Sequence, residues 1–112
     1  GMLTDGQIVT FKAPCDCTAF EYLDIHYVEN QTAKNRLFVM KDAHGNSLAG
    51  IGNLFAKGAY IHAILNTVDG VAYLQNGDTN GYLEGKLNQV LYVVSFDSST
   101  GTLVTKSADY EG

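Results

Sequence analysis

Residues two apart on a strand share a face, and period-two alternation dominates this chain. Val9, Phe11 and Ala13 alternate with Thr10 and Lys12, and Leu23, Ile25 and Tyr27 alternate with Asp24 and His26. Ala59, Ile61, Ala63 and Leu65 alternate with Tyr60, His62, Ile64 and Asn66. Two runs are apolar on both sides. Leu37 to Met40 is one; in the other Val90, Tyr92, Val94 and Phe96 interleave with Leu91, Val93 and Ser95. Such strands suit the centre of a sheet, or a face covered by a partner subunit.

Turn chemistry separates these runs. Asp42-Ala43-His44-Gly45-Asn46-Ser47 reads as a loop in which Gly or Asn takes positive φ. Val68-Asp69-Gly70 carries an Asp-Gly signal and should join the strand ending near Thr67 to one starting at Val71. Asp97 to Gly101 should close a hairpin between Val90–Phe96 and Thr102–Thr105. Helical periodicity is not sustained anywhere. Leu83 and Leu87 lie one turn apart, but Gly81 and Gly85 each cost about 1 kcal/mol in a helix, so at most one short helical turn is expected there. Short strands joined by turns read as an all-β sandwich or small barrel, and an antiparallel, jelly-roll-like β-sandwich is the expected fold.

The 112 residues suffice for one domain, assigned to residues 2–112, with Gly1 before Met2 read as a tag-removal scar. Only 17% of residues are charged and 46% are hydrophobic, which excludes a disordered chain. The net charge of −5 and the lack of a basic cluster argue against nucleic acid and against an anionic membrane surface. No apolar run approaches the roughly 20 residues of a spanning helix, and no signal peptide is legible, so membrane insertion is not expected.

Candidate chemistry is sparse. Cys15-x-Cys17 is half a tetrahedral zinc site with no second half, and strand spacing is poor for a disulfide, so reduced thiols at a strand end are expected. Asn76-x-Asp78-x-Asn80-Gly81 imitates the start of a calcium loop, but Leu87 stands where the bidentate acid belongs. A polar loop with side chains bonded to their own backbone is the plainer reading, and neither metal nor cofactor is expected. His26, His44 and His62 read as solvated or rim histidines. No nucleophile elbow, zinc-protease motif or phosphate loop is present, and an enzyme is not expected. Seven tyrosines without tryptophan suit protein interfaces or sugar-facing platforms, although Tyr27, Tyr73 and Tyr92 read as strand packing.

The run from Ala72 through Gln75-Asn76-Gly77-Asp78-Thr79-Asn80-Gly81-Tyr82-Leu83-Glu84 to Leu87 resembles a segment of small tail- or fibre-associated proteins of phages and prophages of Gram-positive bacteria. Asn53 to Tyr60, Asn66-Thr67-Val68-Asp69-Gly70 and Phe11-Lys12-Ala13-Pro14-Cys15-Asp16-Cys17-Thr18 fit the same pattern. The likeness spans roughly residues 6 to 90 and is densest from Phe55 to Glu84. It implies a non-enzymatic virion component acting in structural assembly or host-surface attachment, located in the virion and, during assembly, in the host cytoplasm. Its implied partners are other copies of itself (a homotrimer, as in many tail appendages), other virion proteins and cell-surface glycan. Tyr82 would anchor the contact loop, Asn76, Asp78 and Asn80 would orient it, and Tyr60 is a further contact residue. The alternative is a stand-alone carbohydrate-binding or adhesive β-sandwich. Aromatics lining one face would favour the glycan; an apolar patch beside a strand edge would favour assembly.

Overall fold

A computed structural model describes residues 3–17, 20–48, 55–75 and 88–111. Among these residues are eight strands: β1 (Ile8–Lys12), β2 (Tyr22–Glu29), β3 (Thr32–Lys41), β4 (Tyr60–Asn66), β5 (Val71–Leu74), β6 (Asn88–Val90), β7 (Tyr92–Asp97) and β8 (Thr102–Lys106). No helix occurs among the described residues, and the fold is all-β. The strands join in one mixed sheet, in the order β6-β1-β4-β5-β3-β2-β8-β7, that curls almost into a barrel. The antiparallel two-layer arrangement expected from local alternation is therefore not what the hydrogen bonds describe. β1–β6, β2–β8 and β3–β5 pair in parallel, and the other four pairings are antiparallel.

The two ends of the sheet order, β6 and β7, are consecutive in the chain, with only Leu91 between them. The strand first pairs with β1, where the Leu91 amide donates to the Thr10 carbonyl at 2.8 Å. It then crosses to β8, with an irregularity in register between Val93 and Ser95. Bulges of this kind sharpen strand twist and are frequent at barrel rims. The run expected as one strand over 90–96 is thus two strands that divide at Leu91. Leu91 points inward and is buried, so one covalent segment closes the seam of the sheet.

Register fixes which face fills the interior. Val9, Phe11, Leu23, Ile25, Phe38, Met40, Ile61, Leu65 and Leu103 lie inside with almost no exposure. Each such side chain contributes about 1.5–3 kcal/mol on leaving water. One end of the core holds three aromatic rings: Phe20 meets Phe11 edge-on at 6.1 Å and Phe55 at 5.9 Å. Beside them Cys17 pairs with Phe55 as an isolated bridge.

The turns follow their side-chain chemistry. The Asp42 carboxylate accepts from the His44 and Asn46 amides, and Gly45 takes φ 86°. The Asn66 side chain donates to the Asp69 carboxylate and accepts from the Asp69 backbone amide, beside Gly70 at φ 70°. Asp97 accepts from Ser99, and Gly101, φ 71°, donates to the Asp97 carbonyl. The β2–β3 connection was not read from the sequence. Glu29 faces Thr32 across a two-residue turn with Asn30 at φ 51° and Gln31 at φ 65°.

Candidate functional site

Sequence-based site residues separate into two groups. Asn76, Asp78, Asn80 and Tyr82 lie outside the described residues, as does the short helical turn expected nearby. Tyr60 opens β4 opposite Lys12 of β1, is 66% exposed, and has the Lys12 ammonium 5.4 Å from its ring centre. That pairing leaves most of the ring open to solvent.

The cysteines are free thiols. Cys17 is buried, and burial first, then the neighbouring Cys15 and the Asp16 charge, push its thiol up to about 11. It is therefore protonated at neutral pH, which makes it a poor nucleophile. His44 is exposed in its turn, and His26 is half-buried. His62 corrects the rim expectation: it is buried on the outward side of β4. Its Nδ1 lies 2.9 Å from the Thr10 hydroxyl, and its Nε2 is buried without a hydrogen-bond partner among the described residues. Thr10 and Ile8 are buried as well, so β1 is covered on both faces although its sequence alternates. Among the described residues no three His, Cys, Asp or Glu side chains converge as a metal ion would require.

The opposite half of the barrel presents a different surface. Outward positions on β3, β2, β8 and β7 follow from the pairing. Leu37 faces Asp24, Asp24 faces Val104, and Val104 faces Ser95 next to Val94. One row along, Asn35, His26, Lys106 and Tyr92 are in line. Several of these side chains are apolar and uncovered: Leu37 is 51% exposed, Val39 42%, Tyr92 51%, Val94 57%, and Val90 at the adjoining β6 edge 53%. Tyr92 thus belongs to the surface, not to the strand packing expected of it.

Between these positions lies a shallow cleft of about 210 Å³ lined by His26, Val94, Val104, Lys106 and Tyr110. The chain after β8 builds its wall. The Ser107 amide donates to the His26 carbonyl and the Tyr110 amide to the Ser107 carbonyl, bringing the Tyr110 ring to 5.2 Å from that of His26. Asp24 stands 3.4 Å from His26 Nε2 and holds the imidazole from the other side. Its lining combines two valines with the Lys106 ammonium and two aromatic rings. The volume is below the roughly 300–1,000 Å³ of drug-sized pockets, so the cleft admits one small ring or one aliphatic side chain. Period-two reading had marked Val94 as apolar on a two-sided strand; Tyr110 carried no signal, because a loop residue is placed only by the tertiary fold. No family model, curated protein or solved structure was found to match the chain.

Proposed function

We propose that the protein is a non-catalytic virion component, tail- or fibre-associated, of a phage or prophage, working by protein–protein contact in assembly or host attachment. The observation that carries this reading is the set of uncovered apolar side chains: Val90, Tyr92 and Val94 on the sheet-end strands β6 and β7, and Leu37 and Val39 on β3. An exposed apolar patch at a strand edge marks an interaction surface on a small domain. The phage context comes from the sequence likeness between Phe55 and Glu84. Its partners are other copies of the chain and other virion proteins. Mass spectrometry of purified particles after induction is the direct test: the protein should be found at stoichiometric levels in particles, and its absence would refute the virion role.

A second reading, a carbohydrate-binding module, is favoured by the cleft in which the His26 and Tyr110 rings, tilted 59° to one another, line the surface with Val94 and Val104. Under that reading, sugars would perturb the Tyr110 and His26 resonances, and Tyr110→Ala would remove the effect. Unchanged spectra with a panel of cell-wall glycans would leave the assembly reading alone.

A further inference from the structure

Residues 13–17 form a short arch after β1. The chain bends at Pro14 and Cys15, so this segment is not the extended strand whose spacing disfavours a disulfide. Both feet of the arch are tied to residues 55–59. The Ala13 amide donates to the Ala59 carbonyl, and the Gly58 amide donates to the Ala13 carbonyl, each at 2.8 Å. At the other foot the Cys17 amide donates to the Phe55 carbonyl at 3.0 Å. The Lys57 amide donates to the Asp16 carboxylate at 2.8 Å. These bonds hold the backbone that carries both cysteines.

Within the arch the two thiols are neighbours. Cys17 Sγ donates to the Cys15 carbonyl at 3.5 Å, so its side chain folds back toward Cys15. The Cys15 side chain is near enough to act on the Cys17 thiol through its charge and through a hydrogen bond. Two residues of chain can separate the Cα atoms by at most about 7 Å, and disulfides usually span about 4.4–6.8 Å. The pair therefore lies within reach of a bridge without a change of fold. Access differs between the two: Cys15 is partly exposed, whereas Cys17 is 1% exposed and belongs to the core cluster that contains Phe20 and Phe55.

We propose that Cys15 and Cys17 are a redox-responsive thiol pair, closing to a disulfide by exchange with an external disulfide, glutathione disulfide being the common biological one. The first attack falls to the accessible Cys15. Its sulfur breaks the S–S bond of the oxidant and becomes a mixed disulfide, and the proton it loses leaves with the first glutathione. Cys17 then attacks the Cys15 sulfur. The bond to glutathione breaks, and the second glutathione takes the proton that Cys17 gives up. The two cysteines together lose two electrons and two protons, and glutathione disulfide becomes two thiols. Burial of Cys17 makes the second step the slow one. A ring closed over a single intervening residue is strained, and strained disulfides are the easily reduced, regulatory kind. The pair accordingly stays open in a reducing cytoplasm and closes in an oxidising exterior. Closure acts on the end of the core where Phe20 and Phe55 meet Cys17. None of this depends on the contact surfaces described above.

Intact-mass spectrometry of the folded protein in glutathione buffers tests the proposal, with Cys15→Ser and Cys17→Ala as controls. In excess glutathione disulfide the wild type should pass through an adduct of one glutathione and end lighter than the reduced protein by two hydrogen atoms. Excess reduced glutathione should restore the starting mass. Cys17→Ala should stop at the adduct on Cys15, and Cys15→Ser should gain almost no adduct. A wild type that also stops at the adduct would overturn the proposal, because Cys15 would then be an ordinary surface thiol. So would a bridge formed only between chains, a first adduct on Cys17, or a closed form that excess reduced glutathione leaves intact. Should Cys17→Ala fail to fold, the wild type decides alone, since peptide mapping either finds Cys15 linked to Cys17 or does not.

Discussion

The β2–β3 turn offers a quantitative test of the fold, because it sets the register that places Leu37 opposite Asp24 on the outer surface. A two-residue connection with both residues at positive φ is a type I′ turn, whose twist matches that of the flanking strands. Asn30 occupies it at low cost, since Asn visits the left-handed region more readily than most residues. Gln31 has no such compensation: a non-glycine residue there costs about 1–2 kcal/mol. Gln31→Gly removes that strain but adds freedom to the unfolded chain worth about 0.5–1 kcal/mol. The expected net gain is about 0.5–1 kcal/mol, a rise in Tm of roughly 2–5 °C for a domain of this size. Urea titration should show a higher midpoint with an unchanged slope, as for a change in stability without a change in compactness. Gln31→Val should move the other way by more than 1 kcal/mol on the same physical ground. A Gln31→Gly variant no more stable than wild type, or a neutral Gln31→Val, would refute the turn geometry and with it the register of the hairpin.

Further predictions concern the closing strand, the second glycine turn and the buried thiol. Leu91→Ala should cost about 2–5 kcal/mol in urea unfolding, as for a buried leucine, and a loss below 1 kcal/mol would mean that the seam is not packed. Gly70→Ala should cost about 1 kcal/mol through its φ of 70°; the added methyl would meet Arg36 Nη2 at an ordinary 3.6 Å, so a far larger loss would place the cause elsewhere. The Cys17 thiol is raised on folding from 9.0 to about 11, chiefly by burial, so the folded state holds the proton more firmly. Its contribution is complete below pH 9.0 and is lost as pH rises towards 11. The stability difference between wild type and Cys17→Ala should accordingly move against wild type across that interval, and a constant difference would contradict the buried, neutral thiol.

What the sequence disclosed was local. The inward sets Val9–Phe11, Leu23–Ile25 and Ile61–Ala63–Leu65 were legible because alternation reports a half-buried strand directly. The turns at Asp42–Ser47, Asp69–Gly70 and Asp97–Gly101 were legible because Asp and Gly announce the bonds and the φ values they adopt. Pairing partners were not, since β1–β6, β2–β8 and β3–β5 join residues far apart in the chain and leave no local trace. The Asn30–Gln31 turn escaped because its second residue is not glycine. His62 read as a solvated or rim histidine, and Thr10 only as the polar position of an alternating strand, yet both are buried, because polarity does not reveal what covers the outer side of a strand. Tyr60 was identified as a candidate and is exposed; the cleft could not be assembled from sequence, since its walls come from β2, β7, β8 and the segment after β8.

The two-sided strand is where sequence, fold and function meet. Over residues 88–97 the inward positions Leu91, Val93 and Phe96 serve the core, and the fold accounts for their apolar character. Val90, Tyr92 and Val94 face the other way and stay about half exposed, so folding does not account for theirs. Neighbouring outward positions show what the barrel tolerates: Asp24 and His26 on β2, Asn35 on β3 and Lys106 on β8 are polar or charged in the same sheet and on the same face. Nothing in the register distinguishes Leu37 from Asn35 except the side chain itself. Apolar residues at such positions expose a strand edge to unwanted pairing and lower solubility, a liability that charged residues would remove. Their presence on two separate flanks is therefore best explained by contact with another chain.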